Sequence, residues 1–256
     1  MPRNHKGLVT MNITVHRGTH QIGGSAIEIS TTSTRIVFDF GNELSLEEQY
    51  IPTHLDIDGV TGGKFNCDGI VISHYHMDHL GQLTSALPEI PLYMGELSKE
   101  VAMIATEHQD KDLYLRLLDA NTFRGGEAFT IGNIHIRPLV IDHSAVDSYM
   151  FVIEAEGKRI LYTGDFRMHG LRSHVVEKLV KTYIGEIDVL ITEGTSLSRD
   201  ADKYVSETAV LDDISSYIQD GKYVFIMCSS TNIDRIMGVW QNMPTDKVLI
   251  CDAYQK

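Results

Sequence analysis

Apolar runs that end in a residue able to bind a metal ion occur five times in this chain of 256 residues. One acid after a strand is an ordinary turn residue, but five such ends are hard to explain as coincidence. If the strands share a direction, their carboxyl ends meet at one edge of the fold, where loops on a rigid scaffold commonly carry chemistry. The runs are Ile36–Phe38 before Asp39, Ile70–Ile72 before His74, Leu139–Ile141 before Asp142 and His143, Ile160–Tyr162 before Asp165, and Val189–Ile191 before Glu193.

One of these ends carries four candidate ligands within a few residues. In an extended chain, residues two apart point to the same side, so His74 and His76 can bind one ion together and Asp78 continues that side. The adjacent His79 faces away unless the chain turns, and a helix predicted from this loop to about Leu87 would supply the turn. Imidazole nitrogens and carboxylate oxygens are ligands that zinc takes in hydrolytic sites. The loop therefore predicts a site for two ions rather than one.

The strand ends also suggest how ligands divide between two ions. Such a pair would acidify a shared water and hold a phosphoryl or acyl oxygen, and Asp78 is the best candidate to orient that water. Asp39 is expected to hydrogen-bond a ligand or the histidine loop, although an acid that merely ends a strand fits the spacing equally well. The predicted ligands are His74, His76 and His143 for one ion, and Asp78, His79 and a bridging Asp165 for the other.

Composition narrows the class of protein. A hydrophobic share of 43% and a charged share of 22% are typical of a globular chain with a real core. No apolar run approaches the length of about 20 residues that spans a bilayer, and no secretory signal follows the N-terminus. The cysteines Cys67, Cys228 and Cys251 form neither a zinc spacing nor a disulfide framework. We therefore expect a cytoplasmic protein with no membrane partner.

The net charge of −13 argues against binding nucleic acid through bulk electrostatics. That count omits bound metals, and two divalent ions would add about four positive charges where a substrate binds. The charge therefore weakens a nucleic-acid hypothesis without excluding it.

The order of the predicted strands and helices changes near Ser198. Before it the chain is rich in strands; after it, helix and strand alternate, which is typical of a parallel sheet. We therefore predict one domain over residues 1–198 and the first part of an α/β domain over residues 199–256. The predicted elements of the second part are helix 206–219, strand Tyr223–Met227, helix 232–242 and strand Lys247–Cys251.

The ordered set of the histidine loop, His143 and Thr163-Gly164-Asp165 resembles the metallo-β-lactamase superfamily. The resemblance covers most of residues 12–195 and implies an αβ/βα sandwich with a di-zinc site at one edge of its two sheets. Asp39 matches the first conserved acid of the family. By matching positions, the family's metal ligands fall on His74, His76, Asp78, His79, His143 and Asp165.

Further segments resemble the β-CASP branch, which processes nucleic acids and includes ribonuclease J. They are Asp142-His143-Ser144, Gly164–Arg167 and Ile191–Thr195. In that branch the acid that matches Glu193 marks the start of the inserted β-CASP domain and supports the metal site.

The segment Cys228–Arg235 resembles the first strand-to-helix turn of that insert. It places Ser229, Ser230 and Thr231 at a helix N-terminus, which can bind an anion. Simple capping is the other interpretation, because Thr231 and Asp234 have the spacing of a capping box. We favour capping over anion binding as the role of these side chains. We follow the resemblance for the position of this turn in the insert.

The chain departs from the β-CASP pattern after His174, because no late histidine ligand follows it. The resemblance therefore implies either a chain truncated within the β-CASP insert or a natural short relative, with the first metal position complete in both cases. The second would lack one ligand and be weak or empty, which leaves the activity of this form open.

The leading hypothesis is a zinc-dependent phosphodiesterase that cleaves single-stranded RNA, with DNA as substrate and manganese as metal left open. A small-molecule hydrolase of the same superfamily, acting on a thioester or lactone, fits the charge of −13 better but explains the second part poorly. A non-catalytic interaction subunit is the third hypothesis. The sequence does not specify an oligomeric state.

Overall fold

Two mixed β-sheets form the centre of the protein. The computed structural model describes residues 11–44, 53–197 and 204–251, so the predicted boundary between residues 198 and 199 lies outside the described residues. The first sheet has six strands in the order β1 to β6. These are β1 (Asn12–Arg17), β2 (Ala26–Ser30), β3 (Arg35–Phe38), β4 (Gly69–Val71), β5 (Leu92–Gly95) and β6 (Asn121–Phe123).

The second sheet has five strands in the order β11-β10-β9-β8-β7. Its strands are β7 (Phe129–Ile131), β8 (Ile134–Ile141), β9 (Ser148–Ala155), β10 (Lys158–Tyr162) and β11 (Val189–Ile191).

Strand directions bring the predicted ligand-bearing ends together. In the first sheet β3 and β4 are parallel. In the second sheet β8 and β10 are both antiparallel to β9, and β11 is parallel to β10. The carboxyl ends of β8, β10 and β11 therefore lie at one edge of their sheet, as those of β3 and β4 do in theirs.

The described α-helices are α1 (Met77–Leu80), α2 (Glu96–Thr106), α3 (Lys111–Leu118), α4 (Ser173–Leu179), α5 (Glu207–Asp220) and α6 (Ile233–Gln241). Those from α1 to α4 cover the outer faces of the sheets, whereas α5 and α6 pack against each other.

Three apolar layers join the two sheets and helices α1 to α4, and strand β8 shows why. Its Ile134 and Ile136 belong to the core between the two sheets, whereas Leu139 and Ile141 face the core beneath α4. Alternate side chains of a strand point to opposite faces, so β8 can serve both layers. A further core lies between the first sheet and helices α1 to α3. The predicted αβ/βα sandwich is confirmed.

The predicted helix from the histidine loop to Leu87 is wrong in extent. Helix α1 ends at Leu80, and only a short 3₁₀ turn follows. The carbonyl of Asp78 accepts bonds from Gly24 N and Ser25 N (3.1 and 3.2 Å), and Gln82 N donates to another loop. Because tertiary partners take these groups, the helical hydrogen-bond pattern stops.

The second part of the chain has its two predicted helices, α5 and α6. The predicted strands Tyr223–Met227 and Lys247–Cys251 are wrong for the described residues, which show no strand there. Most of their side chains face solvent, with Phe225 96% and Ile250 88% exposed. A strand needs a neighbouring backbone for its hydrogen bonds, and no described segment offers one. Among described helices, none has the length and apolar character to cross a bilayer.

Candidate metal centre

The loop after β3 fixes the backbone of the histidine loop. Phe40 N donates to the His79 carbonyl (2.6 Å) and Asn42 N to the Met77 carbonyl (2.9 Å). A Cβ on Gly41 would lie 1.6 Å from the Asp78 carbonyl oxygen. Only glycine allows the two loops to approach this closely, so the positions of the candidate ligands depend on the loop after β3.

Three imidazoles converge in the first ligand group, which consists of His74, His76 and His143. Nδ1 of His76 lies 3.1 Å from Nε2 of His74 and 3.2 Å from Nε2 of His143. Zinc–nitrogen bonds of the usual length place neighbouring nitrogens of a tetrahedral site about 3.3 Å apart. The spacing and the donor atoms of this group therefore fit a metal ion.

The imidazoles of the first group are held in their neutral form. Burial, and then neighbouring histidines, lower the pKa of His74 well below its usual value. Burial likewise lowers the pKa of His76 to about 4 and that of His143 to about 3. A histidine must be deprotonated to bind a metal ion. At neutral pH these three imidazoles already lack the extra proton.

A second ligand group consists of His74, His79 and Asp165. Nε2 of His79 lies 3.3 Å from Oδ1 of Asp165 and 3.7 Å from Oδ2 of Asp78. The structure therefore brings all six predicted ligands to one rim. Because His74 belongs to both groups, the two are adjacent.

Asp39 lies behind the second group rather than in it. This residue is fully buried and has a φ of 58°, a conformation that is uncommon outside glycine. One carboxylate oxygen accepts from Ser73 N (2.7 Å), and the other lies 2.8 Å from His79 Nδ1. An Nδ1 proton donated to Asp39 leaves Nε2 of His79 free to bind a metal. This is how a carboxylate commonly orients a metal-binding histidine.

Charges in the second group stabilise one another. Burial would lower the pKa of His79, but the Asp39 and Asp165 carboxylates outweigh it and raise that pKa well above its usual value. For Asp165, the hydrogen bond and charge of His79 outweigh burial and lower the pKa. Burial raises the pKa of Asp78. In the absence of a metal, the protonated His79 supplies the positive charge of this group.

Glu193 supports the turn that carries Asp165. One of its carboxylate oxygens accepts from Phe166 N (3.4 Å), and the other accepts from Thr195 N (3.1 Å). The side chain thus acts on the backbone next to a candidate ligand, and the structure does not bring it into either ligand group.

The turn Ser229–Thr231 lies beside the histidine loop. The Tyr75 hydroxyl donates to the Thr231 carbonyl (2.6 Å), and Ser229 Oγ lies 2.9 Å from Thr231 Oγ1. Asn232, not Thr231, caps helix α6 by accepting from Arg235 N. The interpretation of Thr231 as part of a capping box is therefore wrong, because Asn232 occupies the cap position.

Ser73 and Tyr162 take part in the site and were not singled out from the sequence. The Ser73 hydroxyl donates to Asp39 (2.9 Å) and lies 3.0 Å from Nδ1 of His74. Its oxygen can accept the Nδ1 proton, which leaves Nε2 of His74 for a metal. Tyr162 OH donates to the same carboxylate. For Ser73, the only signal in the sequence is its position directly before the histidine loop. For Tyr162 there is no signal, because a tyrosine in an apolar run is an ordinary strand residue.

Comparison with known proteins identifies the relatives of this chain. A sequence model of the beta-lactamase superfamily domain matches residues 34–213. Ribonuclease J of Helicobacter pylori is 25% identical over 250 residues, which cover 91% of this chain and 35% of that protein. An RNase J-like protein of Methanocaldococcus jannaschii is 27% identical over 223 residues, covering 82% of this chain and 49% of that protein. The chain thus spans about a third to a half of the length of these curated relatives.

A solved structure shares the fold. The crystal structure of a protein of unknown function from Enterococcus faecalis superposes with a TM-score of 0.77 at 21% identity, covering 92% of this chain and 64% of that one. The resemblance to the branch that includes ribonuclease J is confirmed by the two relatives. Because the family match spans well over half of the chain, this protein belongs to the metallo-β-lactamase superfamily, whose members bind metal ions.

Proposed function

We propose that this protein is a metal-dependent phosphodiesterase that cleaves RNA with the help of two zinc ions. The observation that carries the proposal is the convergence of six candidate ligands at one rim. His74, His76 and His143 form one group, and His79, Asp165 and Asp78 lie directly beside it. Two neighbouring divalent ions suit the displacement at a phosphate, because they can stabilise both the attacking and the leaving oxygen.

Each site residue has a proposed role. Ions held there would lower the pKa of a water molecule and draw charge from a phosphoryl oxygen. Asp78 would orient that water, since burial raises the pKa of its carboxylate and makes it a better proton acceptor. Asp39 acts through His79, and Glu193 acts through the backbone after Asp165. Of the two positions, we propose that the first binds its ion more tightly, because it offers three neutral imidazoles.

The position of the second part supports RNA as substrate. The hydrogen bond from Tyr75 to the Thr231 carbonyl places the turn Ser229–Thr231 against the histidine loop. We propose that residues 1–198 form the metal domain, that residues 199–256 begin a second α/β unit, and that the hydroxyls of this turn form a weak phosphate site. The names of the curated relatives point to the same substrate class.

A small-molecule hydrolase is the second candidate function. The net charge of −13 favours it, because a thioester or lactone needs no basic groove. We prefer RNA because a small substrate gives no reason for a second unit seated at the rim. The described cysteines are unpaired, which suits a reducing compartment, so we place the protein in the cytoplasm.

The test is cleavage of a 5′-labelled single-stranded RNA by the complete gene product supplied with zinc or manganese. We expect cleavage that a chelator abolishes and that added metal restores. DNA of the same sequence, a thioester and a lactone serve as competing substrates. Hydrolysis of the thioester or lactone alone, with intact RNA and bound zinc, would refute the proposal.

A further inference from the structure

A buried charge network connects the metal rim to helix α5 of the second part, and Arg167 is at its centre. Nε of Arg167 lies 3.2 Å from Oδ1 of Asp142, and its Nη1 lies 3.5 Å from Oε2 of Glu207. The Arg167 side chain is 10% exposed, that of Glu207 is 2% exposed and that of Asp142 is fully buried. One guanidinium thus joins two buried carboxylates from distant parts of the chain.

Both members of the first ion pair flank candidate metal ligands. Asp142 directly precedes His143, and Arg167 follows Asp165 by two residues. The backbone repeats the connection, since Arg167 N donates to the Asp142 carbonyl (2.8 Å). The Asp142–Arg167 pair therefore lies directly beside one candidate ligand of each group.

Glu207 is in turn attached to the second part. It begins helix α5, and its carboxylate accepts two bonds from Arg235 of helix α6 (2.6 and 2.9 Å). Its backbone N donates to the His169 carbonyl (2.8 Å). The network thus continues from the rim through Arg167 to both helices of the second part.

The surroundings of the Asp142–Arg167 pair are tight. A Cβ on Gly170 would lie 2.2 Å from Oδ1 of Asp142 and 2.3 Å from Nε of Arg167. Oδ2 of Asp142 and Nη2 of Arg167 are buried without another hydrogen-bond partner. Because no other protein group fixes these atoms, the geometry of the pair depends on the two side chains and on Glu207.

The charges of the network argue against a direct role in holding a phosphate. Two guanidiniums, of Arg167 and Arg235, are balanced by the carboxylates of Asp142 and Glu207. Arg167 is therefore already neutralised by buried acids and is not a free cation facing the substrate. A structural connection to the ligands explains its position better.

We propose that Arg167 is a positioning residue through which the docked second part sets the geometry of His143 and Asp165, and so the affinity of the site for metal. This inference rests on the proposed function, because it takes these residues as ligands. When Glu207 holds Arg167, the pair with Asp142 keeps the two ligands in place; when that contact is lost, the ligands are less well ordered.

The test compares the zinc affinity of Glu207→Gln and wild type in the full chain, by competition with a coloured chelator. Glutamine keeps the shape of the side chain but removes its charge. We expect zinc affinity to fall about tenfold, as for other residues that orient ligands. We expect kcat to recover with excess zinc, and KM for RNA to stay unchanged.

Arg172→Met is the matched control, because Arg172 also pairs across the two parts, with Asp234 at 2.7 Å, but flanks no ligand. Its zinc affinity should stay within about twofold of wild type. Arg167→Lys tests the same connection with the charge kept, since lysine cannot bridge both acids as the planar guanidinium does. Circular dichroism verifies the folding of each variant.

Unchanged zinc affinity in both folded variants, Glu207→Gln and Arg167→Lys, would overturn the inference. A raised KM with unchanged zinc affinity would assign Arg167 to substrate binding instead and would also overturn it. If wild type itself binds no zinc, the proposed function fails, which is a separate outcome.

Discussion

At the scale of single residues, Asp39 organises more of the site than any ligand does. Its carboxylate is surrounded by the Ser73 amide and hydroxyl, His79 Nδ1 and Tyr162 OH. A fully buried carboxylate is stable only when such groups satisfy it. The conformation with positive φ places the side chain among them.

Replacing Asp39 with asparagine should weaken metal binding by about 10- to 100-fold, the range typical of residues that orient ligands. The asparagine side chain has a similar shape, but its NH2 group donates where a carboxylate oxygen accepted. It also carries no negative charge to balance a protonated His79. Zinc competition measures the effect. Asp188→Asn is the control, because Asp188 lies before a strand but is exposed at the surface. Equal zinc affinities in the two variants would mean that Asp39 only ends its strand and does not orient His79.

His143 and His135 give a second matched pair, since His135 lies exposed on β8 and His143 follows the same strand. His143→Ala removes one of three imidazoles, so we expect bound zinc per chain to drop and RNA cleavage to be lost. His135→Ala should keep both. Metal analysis after dialysis checks this, and loss of zinc in both variants would point to unfolding rather than ligation.

The convergence of the six candidate ligands could be predicted from the sequence, because alternation along a strand and position after an apolar run are local properties. The supporting residues could not. Tyr162 reaches Asp39 across 123 positions, and Ser73 acts through a hydroxyl that any serine carries. Their roles arise only when the two sheets meet.

At the scale of elements, the close contact of two loops is the most sensitive feature. We expect Gly41→Ala to destabilise the protein by about 1–3 kcal/mol, as overpacking commonly does, and to lower zinc affinity. The added methyl group would displace the Asp78 carbonyl and with it the histidine loop. Urea unfolding and zinc competition measure the two effects.

Gly62→Ala is the control for that prediction, because a Cβ there meets no atom within 4 Å. It should change neither quantity. If Gly41→Ala matched Gly62→Ala in both measurements, the loop after β3 would not determine the position of the ligands.

Elements with their own periodicity were predicted well, and elements decided by partners were not. The apolar runs that precede the candidate ligands lie in strands, and the first half of β8 also shows the alternation of buried and exposed residues. Helix α1 is short because Asp78 and Gln82 bond to other loops, which local propensity does not reveal. The segment Tyr223–Met227 has the composition of a strand but no described neighbour to pair with.

At the scale of the whole molecule, the buried histidines make stability depend on pH. The pKa is lowered to about 4 for His76 and about 3 for His143, and that of His74 is lowered well below its usual value. In the unfolded chain they titrate near pH 6.5. Below that pH the unfolded chain binds protons that the native protein does not. The free energy of unfolding therefore decreases as the pH is lowered.

We therefore expect the urea midpoint of the chelator-treated protein to decrease between pH 7 and pH 5. His79 opposes this change only at the upper end of that range, because its raised pKa keeps it protonated in the native protein while the unfolded chain gains the same proton as the pH falls through about 6.5. The three histidines with lowered pKa outweigh this single residue. His143→Ala should show a smaller decrease, and His135→Ala the same decrease as wild type. A midpoint that stays constant or rises as the pH falls would contradict the prediction.

The bond between Tyr162 and Asp39 has a consequence for synthesis of the protein. Because 123 positions separate the two residues, the histidine loop leaves the ribosome well before the strand that completes its surroundings. Contacts over such distances form late in folding. We therefore expect a nascent chain that ends before β10 to capture zinc only weakly, so that loading with metal follows closure of the sandwich instead of guiding it.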